Sequence, residues 1–241
     1  GDTTVEVTTY RTENYDPDSR KPEVEYGDSI HGDLSRRDFT VNSMALELTG
    51  EEPEFIDPFN GLQDLAAKIL RTPVRPGDSF NDDPLRMMRA ARFASQLDFE
   101  IAPEVLSSMK DLAHRISIIS AERVRDEFTK IMMSSNPRVG ITLLVDTGIA
   151  DIVLPEIPKL RLEVDEHHHH KDVYEHSITV LEQAIELENR LDGPNLVIRL
   201  AALLHDIGKP KTRAFIEGGG VSFHHHEVVG ARLAKKRLQA L

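Results

Sequence analysis

The sequence predicts a mainly α-helical protein with a short α/β piece at its front. Three observations lead there. Residues 5–11 alternate and are rich in β-branched side chains, as strands are. Beyond about Pro76, apolar residues recur at helical spacing. From Lys171 onward the pattern stays helical, apart from Gly218-Gly219-Gly220.

Taken in order, residues 5–11 form a strand that cannot make a sheet alone. Its partners lie before residue 1 or among two weak downstream candidates, Phe55-Ile56 and Ile69-Leu70. Residues 14–22 carry two prolines, two aspartates and a serine, which describes an exposed connector. Ser35, with Asp38 three residues on, predicts a helix start that takes in Arg36, Arg37, Asp38 and Asn42, with Met44, Ala45, Leu46 and Leu48 following. Residues 84–94 are strongly helical, with Arg86, Arg89 and Arg92 at i, i+3 and i+6. Residues 103–113, 121–133 and 137–145 give three more helices, and Pro155 and Pro158 mark a boundary. The expected division is therefore 1–75, 76–160 and 161–241, with no internal repeat.

Composition narrows the function classes. With 39% hydrophobic and 29% charged residues in 241, the chain has an ordinary globular balance and enough length for a sizeable core. No apolar run is long enough to cross a bilayer, and Gly1-Asp2-Thr3-Thr4 does not begin a signal peptide, so the expected location is cytoplasmic. Zero Cys excludes disulfides, thiolate metal sites and a Cys nucleophile; any metal must sit on His, Asp or Glu. The net charge of −12 argues against broad coating of nucleic acid, where phosphate neutralisation dominates affinity. It leaves room for a local basic groove built from Arg36-Arg37, residues 71–75, 86–92 or 232–237. Each cluster also reads as a solvated helix face.

Within Asp82-Asp83-Pro84-Leu85-Arg86-Met87-Met88-Arg89, Asp83 and Arg86 stand three apart. On a helix they share one face, either as an ordinary ion pair or as a mixed donor–acceptor edge. Such an edge complements cytosine and adenine, which both show a ring-nitrogen acceptor beside an exocyclic amine. Uracil and guanine place a donor at that ring nitrogen and would face the arginine's own donors.

Three blocks follow one another: Asp33-Leu34-Ser35-Arg36-Arg37-Asp38-Phe39-Thr40-Val41-Asn42, Asp57-Pro58-Phe59-Asn60-Gly61, and residues 82–94. The succession resembles the class II tRNA nucleotidyltransferase and bacterial poly(A) polymerase family, over about residues 5–135. The resemblance implies the C-terminal part of an α/β nucleotidyltransferase head, then an all-α neck that selects nucleotides and binds RNA. It implies that Asp83 and Arg86 template CTP or ATP. It also gives Arg36, Arg37, Asp38 and Asn42 to the nucleotide's sugar and phosphates, and makes Arg89 a secondary triphosphate contact. Asp57 to Gly61 resembles the hinge between head and neck. Asn60 stands where Gly is usual, and asparagine tolerates the left-handed backbone a tight turn needs. Asp82 replaces a more usual Glu. Ala121-Glu122-Arg123-Val124-Arg125-Asp126-Glu127 resembles a further neck motif in which Glu122 and Arg125 brace neighbouring helices.

The family carries its metal-binding carboxylates as Asp-x-Asp on an early strand after a Gly-Gly-x-x-Arg-Asp turn. That turn-and-strand pair does not occur here, so this chain alone is expected not to polymerise. Glu6 reads as an auxiliary carboxylate or as a solvent-facing strand residue.

The histidine end carries His176, then His205-Asp206-Ile207-Gly208-Lys209-Pro210 after the apolar residues 200–204, then His224-His225-His226-Glu227. It resembles the HD phosphohydrolase superfamily, whose imidazoles and carboxylates hold one or two divalent ions. The resemblance implies His176, His205, Asp206 and His226 as ligands, with His225 or His224 as further options, in an all-α domain expected to be cut short at Leu241. Lys209 meets a phosphate or is solvated. His167 to His170 reads as a linker that binds metal adventitiously.

The function expected from the resemblance is addition of CMP and AMP to tRNA 3′ ends from CTP and ATP, using Mg2+, with a divalent metal in the HD site. Poly(A) addition to another RNA 3′ end, a metal-dependent HD phosphohydrolase and a non-catalytic RNA-binding remnant stand as alternatives.

Overall fold

The computed structural model describes residues 7, 9–14, 23–26, 29–161, 172–216 and 220–241. Glu6, residues 15–22, His167 to His170 and Gly218-Gly219 lie outside the described residues.

Of the strand expected over residues 5–11, residues 5, 6 and 8 lie outside the described residues, and a strand is described from Arg11 onward. β1 is Arg11–Asn14 and pairs antiparallel with β2, Glu23–Tyr26, from Arg11↔Tyr26 to Asn14↔Glu23. The partner that β1 has among the described residues is β2, not one of the two downstream candidates. Glu23-Val24-Glu25-Tyr26 alternates as well, but four residues give periodicity little to work on.

The helix expected to begin at Ser35 ends there. α1 is Ile30–Ser35, opened by Ser29, whose hydroxyl accepts from the Gly32 amide. Arg36, Arg37 and Asp38 then lie on a bend before a 3-10 turn, Thr40–Asn42. Residues 45–47 form a strand rather than more helix: β3, Ala45–Glu47, pairs antiparallel with β4, Glu54–Ile56. The reason is tertiary. Phe39 is fully buried and held extended (φ −134°, ψ 151°), which no helix accommodates, so core packing overrides the local start signal.

α2, Gly61–Ala67, follows a left-handed Asn60 (φ 57°, ψ 36°), as the asparagine predicts. The Asp57 carboxylate accepts from the amides of Gly61 and Leu62 and so caps this helix. A Cβ on Gly61 would sit 2.2 Å from the Thr40 carbonyl oxygen, so only glycine lets α2 approach the 3-10 turn this closely. β5, Ile69–Leu70, leads to α3, Pro76–Asp82, and α4, Leu85–Leu97. β6, Glu100–Ile101, runs parallel to β5. α5, Pro103–Leu112, α6, Ala121–Met132, α7, Pro137–Asp146, and α8, Ile149–Val153, complete the middle. Prolines 76, 103 and 137 each occupy a first helical turn, where the missing amide costs nothing.

After the undescribed stretch come α9, Val173–Glu186, α10, Leu196–Leu204, and the short α11, Lys209–Thr212. The end is not wholly helical. β7, Arg213–Phe215, and β8, Val221–Phe223, pair antiparallel around the glycine run before α12, His226–Ala240.

One continuous apolar cluster runs from Phe39 through Met87, Met88, Ile131 and Leu144 to Tyr174, Ile178, Leu203 and Ile207. Arginines stitch the middle to the C-terminal helices. Arg199, 3% exposed, donates to the carbonyls of Met132 (2.7 Å) and Ser134 (2.8 Å) and forks onto Glu188 (2.8 and 2.6 Å). That fork outweighs burial and holds the Glu188 carboxyl below the usual carboxylate range. Arg138 on α7 binds Glu175 and Glu182 on α9, and Arg237 on α12 binds Glu156. No helix among the described residues is long and apolar enough to cross a membrane.

Candidate functional site

Arg36, Arg37, Asp38, Asn42, Asp83, Arg86 and Arg89 line one cleft of about 480 Å3. They reach it from four places: the bend after α1, the 3-10 turn that ends at Asn42, the α3–α4 junction and the first turns of α4. Four arginines against two aspartates make it locally basic on a chain of net charge −12.

Asp83 is not on the helix with Arg86, as the spacing had led us to expect. It closes α3 in an extended conformation (φ −136°, ψ 99°), because Pro84 follows it and disfavours helical backbone there. Its Oδ1 accepts from the Leu85 amide (3.1 Å) and its Oδ2 from Arg123 Nη2 (2.9 Å). Arg86, 8% exposed, donates to Ser79 Oγ (2.8 Å) and to the Arg36 carbonyl oxygen (2.5 Å). Among the described residues no ion pair joins Asp83 to Arg86. Each is fixed by other groups, and the two present an acceptor and a fork of donors to the same space.

Arg36 and Arg37 are both tethered to the buried Asp33 (2.7 and 3.3 Å), and Arg37 also donates to the Asn42 carbonyl. Asp38, nearly buried, accepts from the Phe39 amide, from Asn42 Nδ2 (3.1 Å) and from Arg89 Nε (2.8 Å). Sequence reasoning missed Asp33, Ser79 and Arg123. Asp33 was legible, standing three and four residues before the arginines it tethers. The other two act across the fold. Glu122 and Arg125 do not brace neighbouring helices: both are exposed, and Arg125 meets Asp126 beside it. Bracing falls to Arg123 and to Glu127, which binds Arg92 at 2.6 Å.

At the far end, His176 on α9, and His205 and Asp206 just after α10, bring ligand atoms within 4.8 Å of one another. His226 Nε2 lies 3.5 Å from Asp206 Oδ1, while His205 and His176 Nε2 lie 3.1 and 3.7 Å from Oδ2. His205 Nδ1 donates to the Ala202 carbonyl and His226 Nδ1 to the Phe223 carbonyl, each at 2.8 Å. A carbonyl only accepts, so in the neutral rings the Nε2 lone pairs face the carboxylate. Lone pairs turned toward a buried carboxylate call for a cation between them, and this donor set fits a divalent ion in a nitrogen–oxygen shell. Lys209, with a side chain 22% exposed, places Nζ 2.6 Å from Asp206 Oδ2 rather than standing free in solvent. The His225 side chain is 85% exposed and nearest Glu227, away from the cluster. Gly208 permits the arrangement, since a Cβ there would sit 2.0 Å from the His226 carbonyl oxygen.

Comparison with known proteins follows the same order along the chain. Residues 1–71 match the Poly A polymerase head domain, residues 98–160 the probable RNA and SrmB-binding site of polymerase A, and residues 173–241 the HD domain. The A-adding tRNA nucleotidyltransferase of Deinococcus radiodurans is 37% identical over 219 residues, 88% of this chain and 49% of that protein. The chain belongs to the family of CCA-adding enzymes and bacterial poly(A) polymerases. The multifunctional CCA protein of Hahella chejuensis is 38% identical over 86% of this chain and 47% of its own length. The crystal structure of the Bacillus stearothermophilus CCA-adding enzyme in complex with CTP superposes with a TM-score of 0.58, at 25% identity, over 96% of this chain and 49% of that one. A CCA-adding enzyme in its apo form II gives 0.64 at 27% identity, over 82% and 44%. The chain spans about half the length of the curated relatives it matches. The CCA-adding and HD families imply dependence on divalent metal. The chain's literal Asp-x-Asp, Asp16-Pro17-Asp18, has no Gly-Gly-x-x-Arg-Asp before it and lies outside the described residues.

Proposed function

We propose that this chain is the base-selecting and RNA-binding portion of an RNA nucleotidyltransferase that adds CMP and AMP to tRNA 3′ ends in the cytoplasm. CTP and ATP are its nucleotide substrates. In this reading residues 1–75 belong to the nucleotidyltransferase head, 76–160 to the neck and 161–241 to an HD domain. The observation that carries the proposal is the shared cleft, with Asp83 and Arg86 fixed independently at one end of a basic surface.

Each residue has a chemical task. Arg86 donates to the ring nitrogen of cytosine or adenine, and Asp83 accepts from the exocyclic amine. Arg36, Arg37 and Arg89 offset the triphosphate charge, while Asp38 and Asn42 face the ribose hydroxyls. Mg2+ supplies neutralisation of the departing pyrophosphate; none of the seven cleft residues is assigned to hold it. The full-length enzyme, given labelled CTP and ATP on tRNA lacking its 3′ terminus, should incorporate both C and A. Incorporation of A alone would favour an A-adding or poly(A) activity, and incorporation of neither would leave a non-catalytic RNA-binding protein.

The fixed imidazole tautomers around Asp206 favour a second, separable reading of the C-terminal domain as a divalent-metal site for phosphoester hydrolysis. His176, His205, Asp206 and His226 would hold the ion. After chelation and refilling with Mn2+ or Co2+, elemental analysis should find metal retained by the wild type and lost in a His205→Ala/Asp206→Ala variant. Equal retention would remove the site.

A further inference from the structure

Selection by Asp83 requires its carboxylate to stay in one orientation. Nothing local is sufficient for that. Asp83 lies outside α3 and α4 proper, in extended backbone, so no helical turn on either side fixes its rotamer. Among the described residues the local restraint on the side chain is the Leu85 amide, which donates to Oδ1 at 3.1 Å. A single hydrogen bond to one oxygen leaves the carboxylate free to pivot about that contact. The second oxygen is held from elsewhere in the fold: Arg123, on α6, donates through Nη2 to Oδ2 at 2.9 Å from 40 residues away. Two donors on two different oxygens fix the plane of the group, and each oxygen keeps acceptor capacity for a base amine.

We propose that Arg123 is a positioning residue for base selection, orienting the Asp83 carboxylate that reads the exocyclic amine of the incoming nucleotide. The inference rests on the base-selecting reading of the cleft and assigns Arg123 no contact with substrate. Its neighbours agree with a directed role. Glu122, Arg123 and Arg125 are all exposed on α6; Arg125 meets Asp126 beside it, whereas Arg123 reaches Asp83 at the α3–α4 junction. The Asp83 side chain is 21% exposed and that of Arg123 47%, so one end of the pair is solvated. Such a pair adds little to stability, so its value lies in geometry. Its charge also matters. A bare carboxylate beside a bound triphosphate is repelled, and the guanidinium behind it offsets that repulsion without entering the cleft. Ser79 and the Arg36 carbonyl hold Arg86 in the same way, so each half of the reading pair is fixed by groups other than its partner.

The test uses the full-length enzyme and kcat/KM for CTP, ATP, UTP and GTP on tRNA lacking its 3′ terminus. Arg123→Ala should lower the preference for CTP over UTP and for ATP over GTP by about 10- to 100-fold, the scale of effect expected when a positioned group is misplaced by about an ångström. Its thermal midpoint should stay close to that of the wild type, as for an exposed substitution. Arg123→Lys, which keeps the charge and one donor, should recover part of the preference. Asp83→Ala serves as the reference. If Asp83→Ala loses discrimination while Arg123→Ala keeps it, the positioning role is overturned and the base-selecting cleft stands. A uniform rise in KM for all four nucleotides in Arg123→Ala, with ratios unchanged, overturns it equally. If Asp83→Ala itself discriminates as the wild type does, the reading beneath the proposal fails, and the proposal with it.

Discussion

Asp83→Ala is expected to lower the preference of the full-length enzyme for CTP and ATP over UTP and GTP by about 100-fold or more, because sites built on hydrogen bonding reject mismatched groups by large factors. The sign follows from the edges of the bases. Cytosine and adenine bring an amine to the carboxylate; uracil and guanine bring a carbonyl, so two acceptors face each other with no proton between them. Removing the carboxylate takes away both the attraction and the repulsion, and the ratio collapses from both sides. Asp83 is a cleaner probe than Arg86. The Arg86 guanidinium also ties Ser79 to the Arg36 carbonyl, so its loss would disturb the cleft wall as well as the reading edge. The measurement is kcat/KM for each of the four nucleotides on one tRNA acceptor. Selectivity that survives the substitution would show that base choice is made elsewhere.

The middle helices were legible because their periodicity is long and because α4, α5 and α7 carry proline at their starts. α4, α5, α6 and α7 begin within one residue of the predicted positions, and α5 and α7 open on Pro103 and Pro137. Asn60 was legible because few side chains tolerate left-handed backbone. The structure puts the helix start at Ser29, which lacks the acidic residue three positions on that Ser35 has, and the burial of Phe39, invisible in local pattern, keeps residues after Ser35 out of a helix. β7 and β8 are three residues each, too short for a period to emerge. For the cleft, spacing alone offered an i, i+3 ion pair that does not form. The family resemblance named residues that converge across the fold, such as Asp38 and Arg89, which are 51 apart and bonded. What neither route supplied is the set of groups that hold the cleft from behind. Ser79 carries no motif, Arg123 sits in a neck motif that gave the bracing to its neighbours Glu122 and Arg125, and the role of both exists only after α3, α4 and α6 have packed together.

Arg199→Met is expected to destabilise the protein by about 3–5 kcal/mol, because breaking a buried ion pair from one side leaves a charge without its partner. Arg199 and Glu188 have side chains only 4% and 7% exposed. The substitution would leave Glu188 without its fork and take the Arg199 donors away from the carbonyls of Met132 and Ser134 at the end of α6. For a chain of this size that is a fall of about 10 °C or more in the thermal midpoint. Glu188→Met/Arg199→Met together should cost less than Arg199→Met, since no unpaired charge remains, and the comparison separates charge burial from lost packing. Acid provides an independent check. The folded Glu188 carboxyl titrates below its ordinary value of 4.5, so the stability it contributes is fully present above pH 4.5 and is lost as pH falls through the lower folded value. The wild type should therefore lose stability below pH 4.5 more steeply than Glu188→Gln, which has no proton to take up at that site. If Arg199→Met melts within 1–2 °C of the wild type, or the two acid profiles run parallel, the Arg199 bridge between α10 and the end of α6 does not hold the C-terminal helices to the middle, and that contact must rest on the apolar core and on the ion pairs of Arg138 and Arg237.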